Sequence, residues 1–93
     1  MVGMKRISAK IHGIVQHVGF RNFVRKNAQK LDITGWVKNN FDGTVEALFE
    51  GEDNAISEII EKCKKGPLLA IVDKVEVRED EPKKEFDEFH IFK

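Results

Sequence analysis

Ninety-three residues with sixteen basic and sixteen acidic side chains carry no net charge, so no global field draws the chain to nucleic acid or to an anionic membrane. The length suits one domain, 1–93, with one modest core, 41% of the residues being hydrophobic and 34% charged. The lone cysteine, Cys63, excludes an internal disulfide and a cysteine-based zinc site and fits a reducing compartment.

No apolar run approaches transmembrane length, and "MVGMKRISAK" lacks a signal-peptide core, so the expected location is the cytoplasm. Residues 1–4 read as a loose extension ahead of the domain. Abundant Lys and Glu beside scarce Gln lean toward a heat-adapted source. There is no internal repeat, low-complexity tract or linker.

In chain order, "KRISAKIHG" alternates, with Ile7, Ala9 and Ile11 on one face, and predicts a half-buried strand that Gly13 ends. From Arg21 to about Leu31, the positions Phe20, Val24, Ala28 and Leu31 recur at helical spacing, and Phe23 widens the apolar stripe. "ITGWVKN" predicts a second strand. The Asp-Gly pair in "NNFDGTVEALFEG" signals a hairpin turn into a third, carrying Val45, Ala47 and Phe49. "EDNAISEIIEKCKKGP" predicts a second helix, capped by Asp53 or Asn54 and stopped by Gly66 and Pro67, with Ile56, Ile59, Ile60 and Cys63 as its buried stripe. "AIVDKVEVR" is a fourth strand, the charge run from Glu79 to Glu88 a solvated loop, and "FHIFK" a short closing strand.

The order β-α-β-β-α-β plus one strand predicts an α+β ferredoxin-like sandwich, two helices on one face of a mostly antiparallel sheet. In that topology the first and second strands run parallel with the third between them. Their ends then open on one sheet edge, two inter-strand spacings or roughly 9–10 Å apart. The loop Gln16, His17, Val18, Gly19, Phe20 should therefore lie near Lys38, Asn39 and Asn40.

That loop runs into a helix, where free backbone N–H groups and the helix dipole favour an anion. Gly13 and Gly19 permit the tight backbone that turns successive N–H groups toward one point. Arg21, at a helix end that disfavours positive charge, then makes sense as the side-chain partner of a bound phosphate. The alternative is a solvated helix arginine, as expected for Arg25. Neither an ATP-type P-loop nor a dinucleotide fingerprint is present, and a site of backbone and one arginine has room for one phosphoryl group.

"GIVQHVGFR" resembles the first signature of the acylphosphatase family, Gly-x-Val-Gln-Gly-Val-x-Phe-Arg, and "GWVKNNFDGTVEALFEG" resembles its second. "KGPLLAIVDKVEV" is similar to the family's Gly-Pro stretch before its fourth strand. The resemblance spans about Lys5 to Lys93 and implies hydrolysis of the carboxyl-phosphate anhydride of small acyl phosphates, releasing a carboxylate and inorganic phosphate. It implies that Arg21 grips the phosphate, that Asn39 orients the attacking water, and that backbone N–H groups from Gln16 to Arg21 line the cradle. No metal and no organic cofactor are implied, and a monomer is expected. Since Asn39 cannot take the water's proton, a phosphate oxygen receives it.

One residue departs from the pattern. His17 stands where the family usually has glycine, and a φ > 0 there would cost on the order of 1–2 kcal/mol. Other candidates have simpler readings. His12 and His90 read as strand residues, Cys63 as a small core residue, and Trp36 and the phenylalanines as core. Gln16 reads as a staple bonding backbone within the curl, and Asn40 as the neighbour that strand alternation turns away from Asn39. Two other functions stand beside the hydrolase: a weakly active anion-binding domain, kept open by His17, and RNA binding. "GTVEALFEG" argues against RNA, because it lacks basic and aromatic platforms and Glu46 and Glu50 repel phosphates.

Overall fold

Strand alternation and helical spacing set the architecture of this computed structural model, which describes residues 3–93. The elements are β1 (Met4–Ile14), α1 (Phe20–Lys30), β2 (Thr34–Asn39), β3 (Val45–Glu52), α2 (Asp53–Lys65), β4 (Ile71–Asp80) and β5 (Phe89–Ile91). They form one five-stranded sheet in the order β4-β1-β3-β2-β5. β3 runs antiparallel to both β1 and β2, so these two are parallel to each other, as the ferredoxin-like expectation requires. β5 adds to β2 in parallel and closes the far edge.

The register explains the core. Ile7 faces Phe49, Ala9 faces Ala47 and Ile11 faces Val45 across β1 and β3. These pairs turn to the same sheet face and meet Phe20, Val24 and Ala28 of α1 and Ile56, Ile59 and Cys63 of α2. Each such Ile, Val or Phe, once fully buried, stabilises the fold by about 1.5–3 kcal/mol. Burial also pushes the Cys63 thiol up to about 12, so it packs as an uncharged apolar group.

Several boundaries differ from the sequence expectation. β1 does not stop at Gly13 but continues to Ile14 through a register shift against β4 between His12 and Gly13. Gly13 takes φ 131°, and a Cβ there would lie 2.1 Å from the Ile71 carbonyl oxygen, so the bulge needs the glycine. The N-cap of α2 is Glu52 with no side-chain cap bond; Asp53 and Asn54 lie within the helix, and Asp53 complements its dipole. Of the expected loose extension, Met1 and Val2 fall outside the described residues. Gly3 accepts a hydrogen bond from Asp53 N at 3.1 Å and Met4 pairs with Glu52, so these two are tied to the sheet.

On the sheet face away from the helices, the end around Arg6 and Glu50 is polar and locked. Arg6 pairs across strands with Glu50, both buried, at 3.4 Å. Glu50 also accepts the Lys83 and Lys84 backbone N–H groups at 3.0 and 2.7 Å. Burial pushes the Glu50 carboxyl up, but these N–H groups and Arg6 outweigh it and hold the carboxyl below its ordinary value. The charged stretch after β4 is thus exposed in its side chains and pinned by its backbone. Trp36 also departs from expectation. Gly35 and Val37 turn to the core, and Trp36 lies half-buried on the opposite face, stacked on Phe92 at 5.7 Å. Among the phenylalanines, Phe20, Phe49 and Phe89 are core, whereas Phe41 and Phe92 are exposed.

Candidate active site

The β1–α1 connection is anchored at both ends. Val15 and Phe20 are buried, Val18 is half-buried against the core, and His17 and Gly19 are exposed between them. Gln16–Gly19 bend without closing a hydrogen-bonded turn. His17 takes φ 62° and Gly19 φ 78°, so the loop passes twice through left-handed backbone. The glycine accommodates this freely, and a Cβ on it would meet nothing within 4 Å. His17 does so at the strained position anticipated from the sequence.

Gly19 is also the N-cap of α1, offers no side-chain cap, and is followed by a first turn without an acidic residue. The first intrahelical bond is Phe23 N–H to the Gly19 carbonyl at 3.1 Å. The Phe20, Arg21 and Asn22 N–H groups therefore lack intrahelical acceptors, and their positive end is uncompensated by any nearby acid of the first turn. Arg21 adds a full charge there. Its Nη1 donates to the Phe92 carbonyl oxygen at 3.2 Å.

The loop and the end of β2 meet as the topology predicts. Gln16 Nε2 donates to the carbonyl oxygens of Asn40 and Thr44 at 2.7 and 2.9 Å. The staple therefore joins the loop to the β2–β3 turn rather than bonding backbone within the curl. That turn is itself rigid: Asp42 Oδ1 accepts the Thr44 hydroxyl and N–H at 2.6 and 3.0 Å, and Lys10 reaches Asp42 at 3.1 Å. The Thr44 hydroxyl and N–H, then Lys10, hold the Asp42 carboxyl far below the usual carboxylate range.

A cleft of about 550 Å³ opens between these parts, lined by His17, Gly19, Phe20 and Arg21 from the loop and by Asn39 from β2. Gln16 and Val18 do not line it. The two neighbouring asparagines divide as alternation requires. Asn40 Nδ2 is engaged with Thr44 Oγ1 at 3.0 Å and Glu46 Oε1 at 3.2 Å, whereas Asn39 faces the cleft. Lys38 turns to the other sheet face, over the Trp36 ring at 5.4 Å. Sequence reading missed Val15, Asn22, Ile91 and Lys93, which complete the lining. The parallel pairing of β5 with β2 brings the last two there, and nothing local in "FHIFK" signals that partner. Among the described residues, no group of three or more His, Cys, Asp or Glu is placed to hold a metal ion.

Fold and cleft together define a ferredoxin-like α+β domain with a recess at the N-terminus of α1, lined by Arg21, Lys93 and Asn39 among others. The acylphosphatase family model matches residues 7–91. The acylphosphatase of Salinibacter ruber is 45% identical over 87 residues, covering 94% of this chain and 92% of the relative. That of Geotalea uraniireducens is 42% identical over 86 residues, covering 92% and 94%. The crystal structure of acylphosphatase from Bacillus subtilis superposes with a TM-score of 0.92 at 37% identity, covering 96% of this chain and 99% of that one. The chain belongs to the acylphosphatase family. Among the described residues, no helix is long and apolar enough to cross a membrane.

Proposed function

We propose that this protein is a metal-independent hydrolase of small acyl phosphates. What supports the reading most is one observation: Arg21 and Asn39, matched to the family's signatures, line one cleft at the N-terminus of α1. The phosphoryl group sits against the loop, its oxygens taken by backbone N–H groups between His17 and Asn22 and by the Arg21 guanidinium. Asn39 accepts a hydrogen bond from a water and holds it in line with the bond to be broken. Water oxygen attacks phosphorus, the phosphorus–oxygen bond to the acyl carboxylate breaks, and its electron pair leaves on that carboxylate. One water proton passes to a phosphate oxygen and the other stays on the attacking oxygen, giving dihydrogen phosphate.

A carboxylate is a good leaving group, so the reaction needs no strong protein acid. The barrier falls through positioning and charge stabilisation, which one guanidinium and a ring of amides supply. No metal or organic cofactor enters the proposal, and the enzyme acts as a cytoplasmic monomer without a nucleic-acid or membrane partner. The test is hydrolysis of acetyl and benzoyl phosphate without added metal. The expected result is turnover unaffected by EDTA and inhibited competitively by inorganic phosphate. Abolition by the chelator would refute metal independence. Phosphate binding without turnover would favour a binding domain, the reading that the strained His17 supports.

A further inference from the structure

Arg21 is held by a group that no functional signature contains. The geometry points to Phe92, seated on Trp36, as the positioning residue for the Arg21 guanidinium; this rests on Arg21 being the phosphate ligand. The Arg21 Nη1–H donates to the Phe92 carbonyl oxygen at 3.2 Å, across 71 residues of chain. That carbonyl is fixed from two directions. The Phe92 N–H donates to the Val37 carbonyl oxygen at 2.8 Å, continuing the β2–β5 pairing one residue past β5. The Phe92 ring stacks on Trp36 at 5.7 Å and 20°, and on His90 at 6.2 Å and 18°. Its flanking residues Ile91 and Lys93 line the cleft, so the carbonyl sits at the cleft's wall.

The choice of partner has a physical consequence. A carboxylate would orient Arg21 equally well but would cancel its charge and compete with phosphate. A peptide carbonyl orients the guanidinium and leaves the full charge in place. It also occupies a single N–H of Nη1, leaving the Nε–Nη2 edge for the paired oxygens of a phosphoryl group. Without that anchor the long side chain regains rotamer freedom, which phosphate binding must remove again. The stack therefore acts on affinity through Arg21 while its own rings stand on the opposite sheet face.

The test is the inhibition constant of inorganic phosphate, with KM and kcat for acetyl phosphate, in Phe92→Ala, Phe92→Tyr and Trp36→Ala. Phe92→Ala should raise the phosphate inhibition constant and KM about five- to tenfold, with a smaller change in kcat. Phe92→Tyr should restore both, and Trp36→Ala should reproduce the defect should Phe92→Ala not fold. In an Arg21→Ala background, Phe92→Ala should add no further loss, which a merely structural role would not produce. Unchanged phosphate affinity in folded Phe92→Ala and Trp36→Ala, with Arg21→Ala still defective, would overturn the positioning role alone. Unchanged affinity in Arg21→Ala would overturn both this role and the reading of the site.

Discussion

The chain holds two arginines in opposite ways. Arg6 is buried and surrounded by acids: Glu85 at 2.7 Å, Glu50 at 3.4 Å and Asp80 at 3.9 Å. Arg21 lines a cleft and is bonded to a neutral carbonyl. A guanidinium neutralised by carboxylates fixes the fold, whereas one oriented by a dipole keeps its full charge at the cleft, where we propose that it meets the phosphoryl group. The neighbouring asparagines repeat the contrast, Asn40 spent on its own turn and Asn39 turned to the cleft.

The sharpest way to break the contrast is to remove each arginine. Arg21→Ala should lower kcat/KM at least 100-fold, about 3 kcal/mol, with little change in unfolding midpoint. Arg6→Ala should do the reverse, costing roughly 3 kcal/mol of stability by leaving Glu50 buried without its cation, while kcat/KM of the folded protein holds. Steady-state kinetics and denaturant unfolding on the same samples check both; equal losses in activity from the two changes would erase the distinction.

The asparagines give the next effect. Asn39→Ala should lower kcat about 100-fold with a small change in phosphate inhibition, because its proposed partner is water. Parallel losses in kcat and phosphate affinity would make Asn39 a phosphate ligand instead. Asn40→Ala should cost about 1 kcal/mol of stability through its turn bonds and leave kcat near wild type.

His17→Gly sharpens the account with the smallest change. Relief of a side chain at φ 62° should raise kcat/KM about two- to fivefold, the gain limited by the added freedom of a glycine in the unliganded loop. Equal or lower kcat/KM in the glycine variant would mean that His17 itself serves the site.

Much of this was legible in the sequence because it is encoded locally. Ile7, Ala9 and Ile11 alternate, and Phe20, Val24 and Ala28 recur at helical spacing, which places both elements and their core faces. The parallel β1 and β2 brought the loop to Asn39 by topology alone. Trp36 departs from the core expectation because Gly35 and Val37 claim the core face, and alternation puts the residue between them outside. Gly13 suggests a stop in sequence because a bulge and a strand end share the same residue preference. The Gln16 staple to the β2–β3 turn and the Phe92 carbonyl on Arg21 were invisible for a different reason. Each joins distant segments through a backbone oxygen, a partner that every residue type offers.

Backbone amides report directly where an anion sits. In a titration of the isotopically labelled protein with inorganic phosphate, the amide resonances of His17 to Asn22 should shift together and saturate, with the Arg21 side-chain resonance following the same curve. Saturable shifts confined to other segments, or none at saturating phosphate, would contradict the account.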